Sequence, residues 1–377
     1  ILLLRTSQRP WNGFFLICLA RLPDRSRTEM NILIVKLSAL GDVVQSIPAF
    51  EALRNHYSSA HISWLVEEEA SDLLQYYPGL DEIMVCRRRS WLKELRNPLL
   101  WPKVSLDIFR FCGRLRQRYY DVIIDLQGLL KSAIWVGLAR GRRKIGFDRT
   151  REGSWMFLNE RLPPYDPDRH ALDRYLDVTR YLGADVDSVR VHDPWTSTEE
   201  HQLQGRLRQI RSNSGSPLVA CHPISRWPTK LWPDANFTRL AVELITRLQA
   251  TVVFTGSTQD RDTITRIIEE SGVGGLYNWA GTTNLRELAY VYKNATVVVS
   301  TDSGPMHLAA VLGTPVVALF GPTAPWRTGP YGADHKVLRV DRDCSPCFEK
   351  SCDTVECMTA LKVEDVFQAV VEQLDKE

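Results

Sequence analysis

A strand such as Val297-Val298-Val299 cannot present either face to water, because successive side chains of a strand point to opposite sides. Unbroken β-branched runs of this kind belong to parallel sheets covered by helices on both faces. The chain contains two sets of them. The first lies at 32–37, 61–66, 82–86 and 121–126, with a short fifth run at 144–147. The second lies at 218–222, 251–255, 277–279, 297–301 and 315–320. Helical patterns fill the gaps: Val43, Val44, Ile47, Phe50 and Leu53 recur at helical spacing, and further helices are predicted over 234–248, 285–293, 306–312 and 363–374. Pro48 is expected to kink or divide the first of these helices. Residues 184–216 are polar and rich in turn formers, with one helical segment near 199–210. At 377 residues the chain exceeds one ordinary core. The reading is therefore α/β, with two Rossmann-like doubly wound domains facing across a cleft: 30–195, a linker at 196–216, and 217–377 ending in a helix.

Residues 1–29 are left out of this fold. The chain begins at Ile1, Met30 directly precedes the first strand, and the apolar segment 11–22 is short, interrupted by Asn12 and Arg21, and lacks a signal cleavage site. No apolar run approaches the roughly 20 residues that span a bilayer. The net charge of +2 conceals an uneven distribution, since ten Arg and Lys residues lie between Arg87 and Arg118 against only Glu94 and Asp107. Such a patch suits nucleic acid, an acidic membrane surface or an acidic glycan, or is a solvated helix face. Cys18, Cys86, Cys112 and Cys221 are scattered in apolar contexts and read as reduced thiols.

Three strand-to-loop junctions carry chemistry. Asp302-Ser303-Gly304-Pro305-Met306-His307 follows a buried strand and opens a helix, whose free N–H groups suit a phosphate, with His307 as a further donor. Ser225 and Lys230 follow another strand and can hold a diphosphate; a third turn, Gly321-Pro322-Thr323, lies on the same edge. In VKLSALGDVV, Asp42 stands at a helix start, where a cap and a general base want the same position. Neither G-x-G-x-x-G after the first strand nor G-x-x-x-x-G-K-[ST] is present, which disfavours a conventional dehydrogenase or P-loop NTPase. The pairs Asp260/Asp262 and Asp341/Asp343 have D-x-D spacing but read as surface carboxylates. Cys344, Cys347, Cys352 and Cys357 form C-x2-C-x4-C-x4-C, either a structural zinc site or a reduced turn at Cys344-Ser345-Pro346-Cys347.

VKLSALGDVVQSIPA, WLVEEEA, VIIDLQGLLKSA, STDSGPMHLAAVLGTPVVALFGPT and the Ser225–Lys230 loop, in this order and spacing, resemble the ADP-heptose:lipopolysaccharide heptosyltransferases of glycosyltransferase family 9. CRRRSWLKEL and FDRTREG are most similar to heptosyltransferase I, which adds the first heptose to Kdo–lipid A. The resemblance implies the GT-B fold and an inverting, metal-independent transfer of heptose from ADP-L-glycero-D-manno-heptose. It implies Asp42 as general base, and Ser225, Lys230, Asp260, Thr283, Asp302, Ser303, Gly304 and His307 as donor-binding residues, with Asp302 on sugar hydroxyls and Asp260 near the ribose. Where the family has two adjacent threonines this chain has Ile224-Ser225, which implies one phosphate contact fewer. Arg88, Arg89, Gln127, Lys131 and Arg151 would read the anionic acceptor, and the remaining cations would hold the enzyme on the acidic cytoplasmic leaflet of the inner membrane. The implied partners are thus a nucleotide sugar and a lipid-linked glycan rather than nucleic acid, and no cofactor is required. An aspartate pKa near ~3.9 matches a sugar hydroxyl poorly, so Asp42 would act by geometry, taking the proton late. Glu67, Glu68 and Glu69 rank second as bases. The alternatives are a transferase adding a later heptose or using another nucleotide sugar, a GT-B-like sugar-nucleotide epimerase, and a silent sugar-nucleotide-binding module.

Overall fold

The computed structural model describes residues 29–211 and 215–376, so the expectation for 1–29, and Cys18 with it, falls outside the described residues except at Glu29. In chain order the first half comprises β1 (Asn31–Val35), α1 (Leu40–His56), β2 (His61–Glu67), α2 (Glu68–Leu74), β3 (Glu82–Cys86), α3 (Arg88–Glu94), α4 (Trp101–Gln117), β4 (Tyr120–Asp125), α5 (Leu130–Leu138), β5 (Gly141–Phe147), β6 (Glu160–Leu162) and α6 (Ala171–Tyr181). After α7 (Ser197–Ile210) follow β7 (Leu218–His222), α8 (Asp234–Leu248), β8 (Thr251–Phe254), α9 (Arg261–Ser271), β9 (Leu276–Asn278) and α10 (Leu285–Lys293). The chain ends with β10 (Val297–Thr301), α11 (Gly304–Val311), β11 (Val316–Phe320), α12 (Pro325–Thr328), β12 (Lys336–Arg339), α13 (Glu356–Thr359) and α14 (Val363–Leu374).

The strands build two six-stranded parallel sheets, ordered β3-β2-β1-β4-β5-β6 and β12-β11-β10-β7-β8-β9. Both have the same topology, the doubly wound order in which strand sequence reverses beside the first strand of each half. The unbroken apolar runs explain this. Every residue of β1, β7, β10 and β11 is buried, so each strand needs helices on both faces. β6 and β12 extend beyond the predicted strands. β6 has only three residues and β12 is no more than half-buried, so neither carries the apolar signal of a central strand.

α1 runs through Pro48 without division. Val43, Val44, Ile47, Phe50 and Leu53 are all buried, and the helix is packed along α6 in its own half and α11 in the other. That burial outweighs the hydrogen bond a mid-helix proline removes. Two glycines permit the α1–α11 approach: a Cβ on Gly41 would stand 2.5 Å from His307 Cδ2, and one on Gly304 would stand 3.0 Å from the Leu40 side chain. The halves are further tied by Arg286–Asp72 at 2.9 Å and Arg226–Glu69 at 2.9 Å. Among the described residues, no helix is long and apolar enough to cross a membrane.

Candidate active site

The carboxyl ends of β1, β4, β7 and β10 meet where strand order reverses in each sheet, the position at which doubly wound sheets bind ligands. Two cavities open there. The larger, about 450 Å³, is lined by residues 39–42 and Gln45 from the first half, and by Ser225, Lys230, Asp302, Ser303, Gly304 and His307 from the second. The smaller, about 300 Å³, is lined by Lys36, Asp125, Gln127, Arg151, Arg174 and Tyr175, with Arg327 reaching in from α12. Among the described residues, Asp42 is the one that lines both.

Asp42 is the third residue of α1. Ala39, at the N-cap, has no side-chain acceptor, so Asp42 reaches back and its Oδ2 accepts the Ala39 N–H at 3.1 Å. Its Oδ1 accepts from the Tyr175 hydroxyl at 3.1 Å and lies 3.9 Å from Lys36 Nζ. Capping and chemistry therefore share one carboxylate but use different oxygens. Its side chain is 38% exposed, toward the cavities. Burial acts to raise its pKa, but Lys36, the Ala39 N–H, the Tyr175 hydroxyl and His307 outweigh it and hold the carboxyl below the usual range. Lys36 is itself buried and donates to Tyr175 Oη at 2.7 Å and to the Leu126 carbonyl at 3.2 Å. Burial lowers its pKa, against the opposing pull of Asp42 and Asp125.

On the other wall, buried Asp302 accepts on Oδ2 from Thr323 Oγ1 at 2.5 Å and pairs with Lys230 Nζ at 2.6 Å. Both contacts fall on Oδ2, and no side-chain partner of Oδ1 is found among the described residues. An ammonium has three donors, so the bond to Asp302 leaves two for phosphate oxygens. Ser225 Oγ donates to the Asp302 carbonyl at 3.0 Å, joining the two loops. Ser303 is the N-cap of α11 and Pro305 occupies its first turn, leaving the helix-start N–H groups toward the cleft. The Gln45 amide nitrogen donates to His307 Nδ1 at 3.0 Å, which leaves the ring proton on Nε2. Burial lowers the His307 pKa to about 4, so at neutral pH the ring is an uncharged donor.

Several other residues expected at the site are engaged by neighbouring protein groups. Asp260 Oδ2 accepts from Ser257 N–H and Oγ at 2.7 and 2.6 Å, serving the turn after β8, and neither Asp260 nor Thr283 lines either cavity. Arg88 Nε pairs with buried Glu67 at 2.6 Å, and Arg89 pairs with Glu67 and Glu69. Lys131 Nζ donates to Ser38 Oγ at 2.5 Å, and Gln127 Oε1 accepts from Leu37 N and Ser38 N at 3.2 and 3.0 Å. These two side chains hold the loop that delivers Asp42, and Gln127 also lines the smaller cavity beside Arg151. Glu67 and Glu69 are engaged by arginines and Glu68 by Arg87 and Ser90, and none of the three lines either cavity. Lys36, Tyr175, Arg174 and Arg327 were not singled out by sequence. Arg174 Nε is buried without a hydrogen-bond partner among the described residues, and its guanidinium stacks 4.5 Å from the Tyr165 ring.

The zinc expectation finds no support in the thiol geometry. Cys344, Cys347, Cys352 and Cys357 line one cavity of about 130 Å³, but among the described residues no three Cys, His, Asp or Glu side chains are grouped to hold a metal. Cys352 Sγ accepts from Val355 N at 3.4 Å within its own turn, while Cys357 is buried beside Met358.

A model of glycosyltransferase family 9 (heptosyltransferase) matches residues 108–357. The chain is 32% identical over 328 residues to lipopolysaccharide heptosyltransferase 1 of Pseudomonas aeruginosa, covering 86% of this chain and 87% of that protein. It is 28% identical to lipopolysaccharide heptosyltransferase 1 of Escherichia coli K12, over 83% of this chain and 95% of that one. The solved structure of E. coli heptosyltransferase WaaC with ADP shares the fold with a TM-score of 0.74 at 24% identity, covering 91% of this chain and 100% of that chain. A family 9 glycosyltransferase from Veillonella parvula gives 0.73 at 22% identity, over 92% and 98%. The two facing sheets are thus the GT-B arrangement.

Proposed function

The chain belongs to glycosyltransferase family 9, the heptosyltransferases, and from that premise we propose that it transfers heptose from ADP-L-glycero-D-manno-heptose to the Kdo–lipid A inner core of lipopolysaccharide. The observation that carries this reading is that Asp42, alone among the described residues, lines both cavities. A base for glycosyl transfer must touch the acceptor hydroxyl and face the donor's anomeric carbon, and Asp42 has access to both sides.

In this reading the diphosphate sits between Lys230, Ser225, His307 and the start of α11. The acceptor fills the cavity bounded by Gln127, Arg151, Arg174 and Arg327, whose guanidinium groups suit sugar carboxylates. The acceptor hydroxyl attacks the anomeric carbon from the Asp42 side, its proton passes to Asp42 Oδ1, the glycosidic bond to ADP breaks, and configuration inverts. Charge developing on the departing phosphate falls among the Lys230 ammonium, the His307 Nε2–H and backbone N–H groups, which are already oriented. This charge balance needs no divalent ion. Tyr175 and Lys36 keep Asp42 ionised and aimed. The low pKa makes Asp42 a weak base, so proton transfer follows most of the bond breaking.

A relative named lipooligosaccharide heptosyltransferase 2, from Haemophilus influenzae, is 28% identical over 82% of the chain, which supports a second reading in which the acceptor already carries a heptose. Incubation with ADP-heptose and Kdo2–lipid A, with mass spectrometry of the lipid, tests the proposal. A gain of one heptose supports it. Gain only on a heptosylated acceptor moves the enzyme to the later step, and conversion of the donor without lipid modification overturns transfer. With a lipid-anchored acceptor, the enzyme would work on the acidic cytoplasmic leaflet, which the basic residues of 87–118 support.

A further inference from the structure

Resting on that lipid-anchored acceptor, we propose that the layer formed by α3, α4, α5 and residues 151–157 is the face that lies on an anionic phospholipid bilayer, with apolar side chains of α4 and the turn before it entering the headgroup region. Eleven of the seventeen large hydrophobic side chains exposed among the described residues fall between 92 and 157, less than a fifth of the chain. Helix α4 shows why this is not ordinary surface scatter. Val104 and Leu115 are buried, with Ile108 and Phe111 packed against the same core. At 100° per residue, Leu106, Phe109 and Gly113 fall on the opposite side. A surface helix carries polar residues there, yet Phe109 is 75% exposed, and Leu99, just before the helix, is 87% exposed.

Cations border this stripe. Lys103, Arg110 and Arg114 run along one flank and Arg116 along the other. Lys103 pairs with Glu94, which Arg87 also meets, and Arg114 pairs with Glu82, which Arg118 also meets, whereas Lys93, Arg96 and Arg110 pair with no carboxylate among the described residues. An apolar stripe between basic flanks is the pattern of a helix lying in a membrane interface, and its charge complements acidic headgroups. The placement fits an acceptor rising from that surface. α4 starts on the carboxyl edge of the sheet, where Asp42 lies, and runs back to the other end to enter β4. Residues 151–157 join the layer to the site: Arg151 lines the smaller cavity, while Met156 and Phe157 are exposed. A sugar carried on a lipid headgroup would pass from this layer directly to Asp42.

The test is co-sedimentation of the full chain with phosphatidylcholine vesicles containing or lacking 30% phosphatidylglycerol (about a third of the lipid, the acidic fraction being the probe variable), with neither donor nor acceptor present. Binding to the acidic vesicles that weakens with salt is expected. Leu99→Ser combined with Phe109→Ser should weaken the partition at least about tenfold, and Arg110→Glu at least about fivefold. All variants should keep wild-type melting temperature and wild-type transfer to a water-soluble delipidated acceptor, which keeps failure here distinct from failure of the proposed reaction. Equal binding to neutral vesicles, or equal partition of wild type and the Leu99/Phe109 variant, would overturn the proposal. So would a wild-type dimer that this variant dissociates without change in vesicle binding, since the patch would then be covered by a second copy.

Discussion

Gly41→Ala probes the meeting of the two halves directly. The added methyl would stand 2.5 Å from His307 Cδ2, 3.3 Å from Nε2 and 3.4 Å from Gly304 Cα. Carbon atoms in contact prefer about 3.5 Å or more, so the imidazole must retreat by about 1 Å. It has little room, because the ring is buried and Gln45 holds Nδ1. Alanine in a helix gains about 1 kcal/mol over glycine, while overpacking costs about 1–3 kcal/mol, so the net stability change is a loss of about 1 kcal/mol. Activity should respond far more. A displacement of about 1 Å of a group that meets the leaving phosphate in the proposed reaction corresponds to roughly a hundredfold loss in kcat/KM. The assay is ADP release under initial-rate conditions, with the melting temperature and the ADP Kd measured in parallel. Gly205→Ala in α7, where a methyl meets nothing within 4 Å, is the control and should be unchanged or slightly stabilised. A Gly41→Ala enzyme with kcat/KM within about twofold of wild type would refute the claim that α1 and α11 jointly form the site.

Three further outcomes follow from the geometry. Tyr175→Phe removes the donor to Asp42 Oδ1 and an acceptor of the Lys36 ammonium, so kcat should fall about tenfold or more with ADP affinity unchanged, and the acid limb of the rate profile should move upward. Arg174→Met should raise the acceptor KM at least about tenfold and leave the ADP Kd unchanged, as measured by acceptor titration. His222 and His307 have pKa values lowered to about 4, mainly by burial, so below about 6.5 the unfolded chain binds protons that the folded chain does not. Stability should therefore fall as pH drops from about 6.5 toward 4, by up to about 3 kcal/mol per histidine; urea unfolding across that range measures it, and a flat profile would contradict it.

The two sheets were legible because fully buried parallel strands leave an unbroken apolar signature, and the turns that follow them supplied Ser225, Lys230, Asp302, Ser303, Gly304 and His307 as local patterns. What a residue binds was less legible than where it lies. Arg88, Arg89 and Lys131 were expected at the acceptor from their charge and the family resemblance; Glu67 and Ser38 engage them here, and those partners are set by strand register and loop placement. Asp260, expected near the ribose from the family resemblance, closes a local turn with Ser257 through Oδ2, a partner that its position alone does not show. Tyr175 had no local signal, since it sits on an amphipathic helix 133 residues from the carboxylate it touches. Lys36 was the nearest miss: a lysine at the end of an apolar strand must find a partner when buried, and that partner is the Asp42–Tyr175 pair.

The role of Asp42 rests on one substitution, Asp42→Asn. The amide side chain would still cap the Ala39 N–H and meet Tyr175, but it cannot accept a proton, and it leaves Lys36 short of one anionic neighbour at a cost of about 1 kcal/mol. Heptose transfer by this variant, read by mass spectrometry of the lipid product beside the ADP Kd and the melting temperature, is the most direct measurement. The expected result is a loss of transfer of about a thousandfold or more, with ADP affinity intact and the melting temperature lowered by only a few degrees. Transfer within about tenfold of wild type would remove Asp42 as the base.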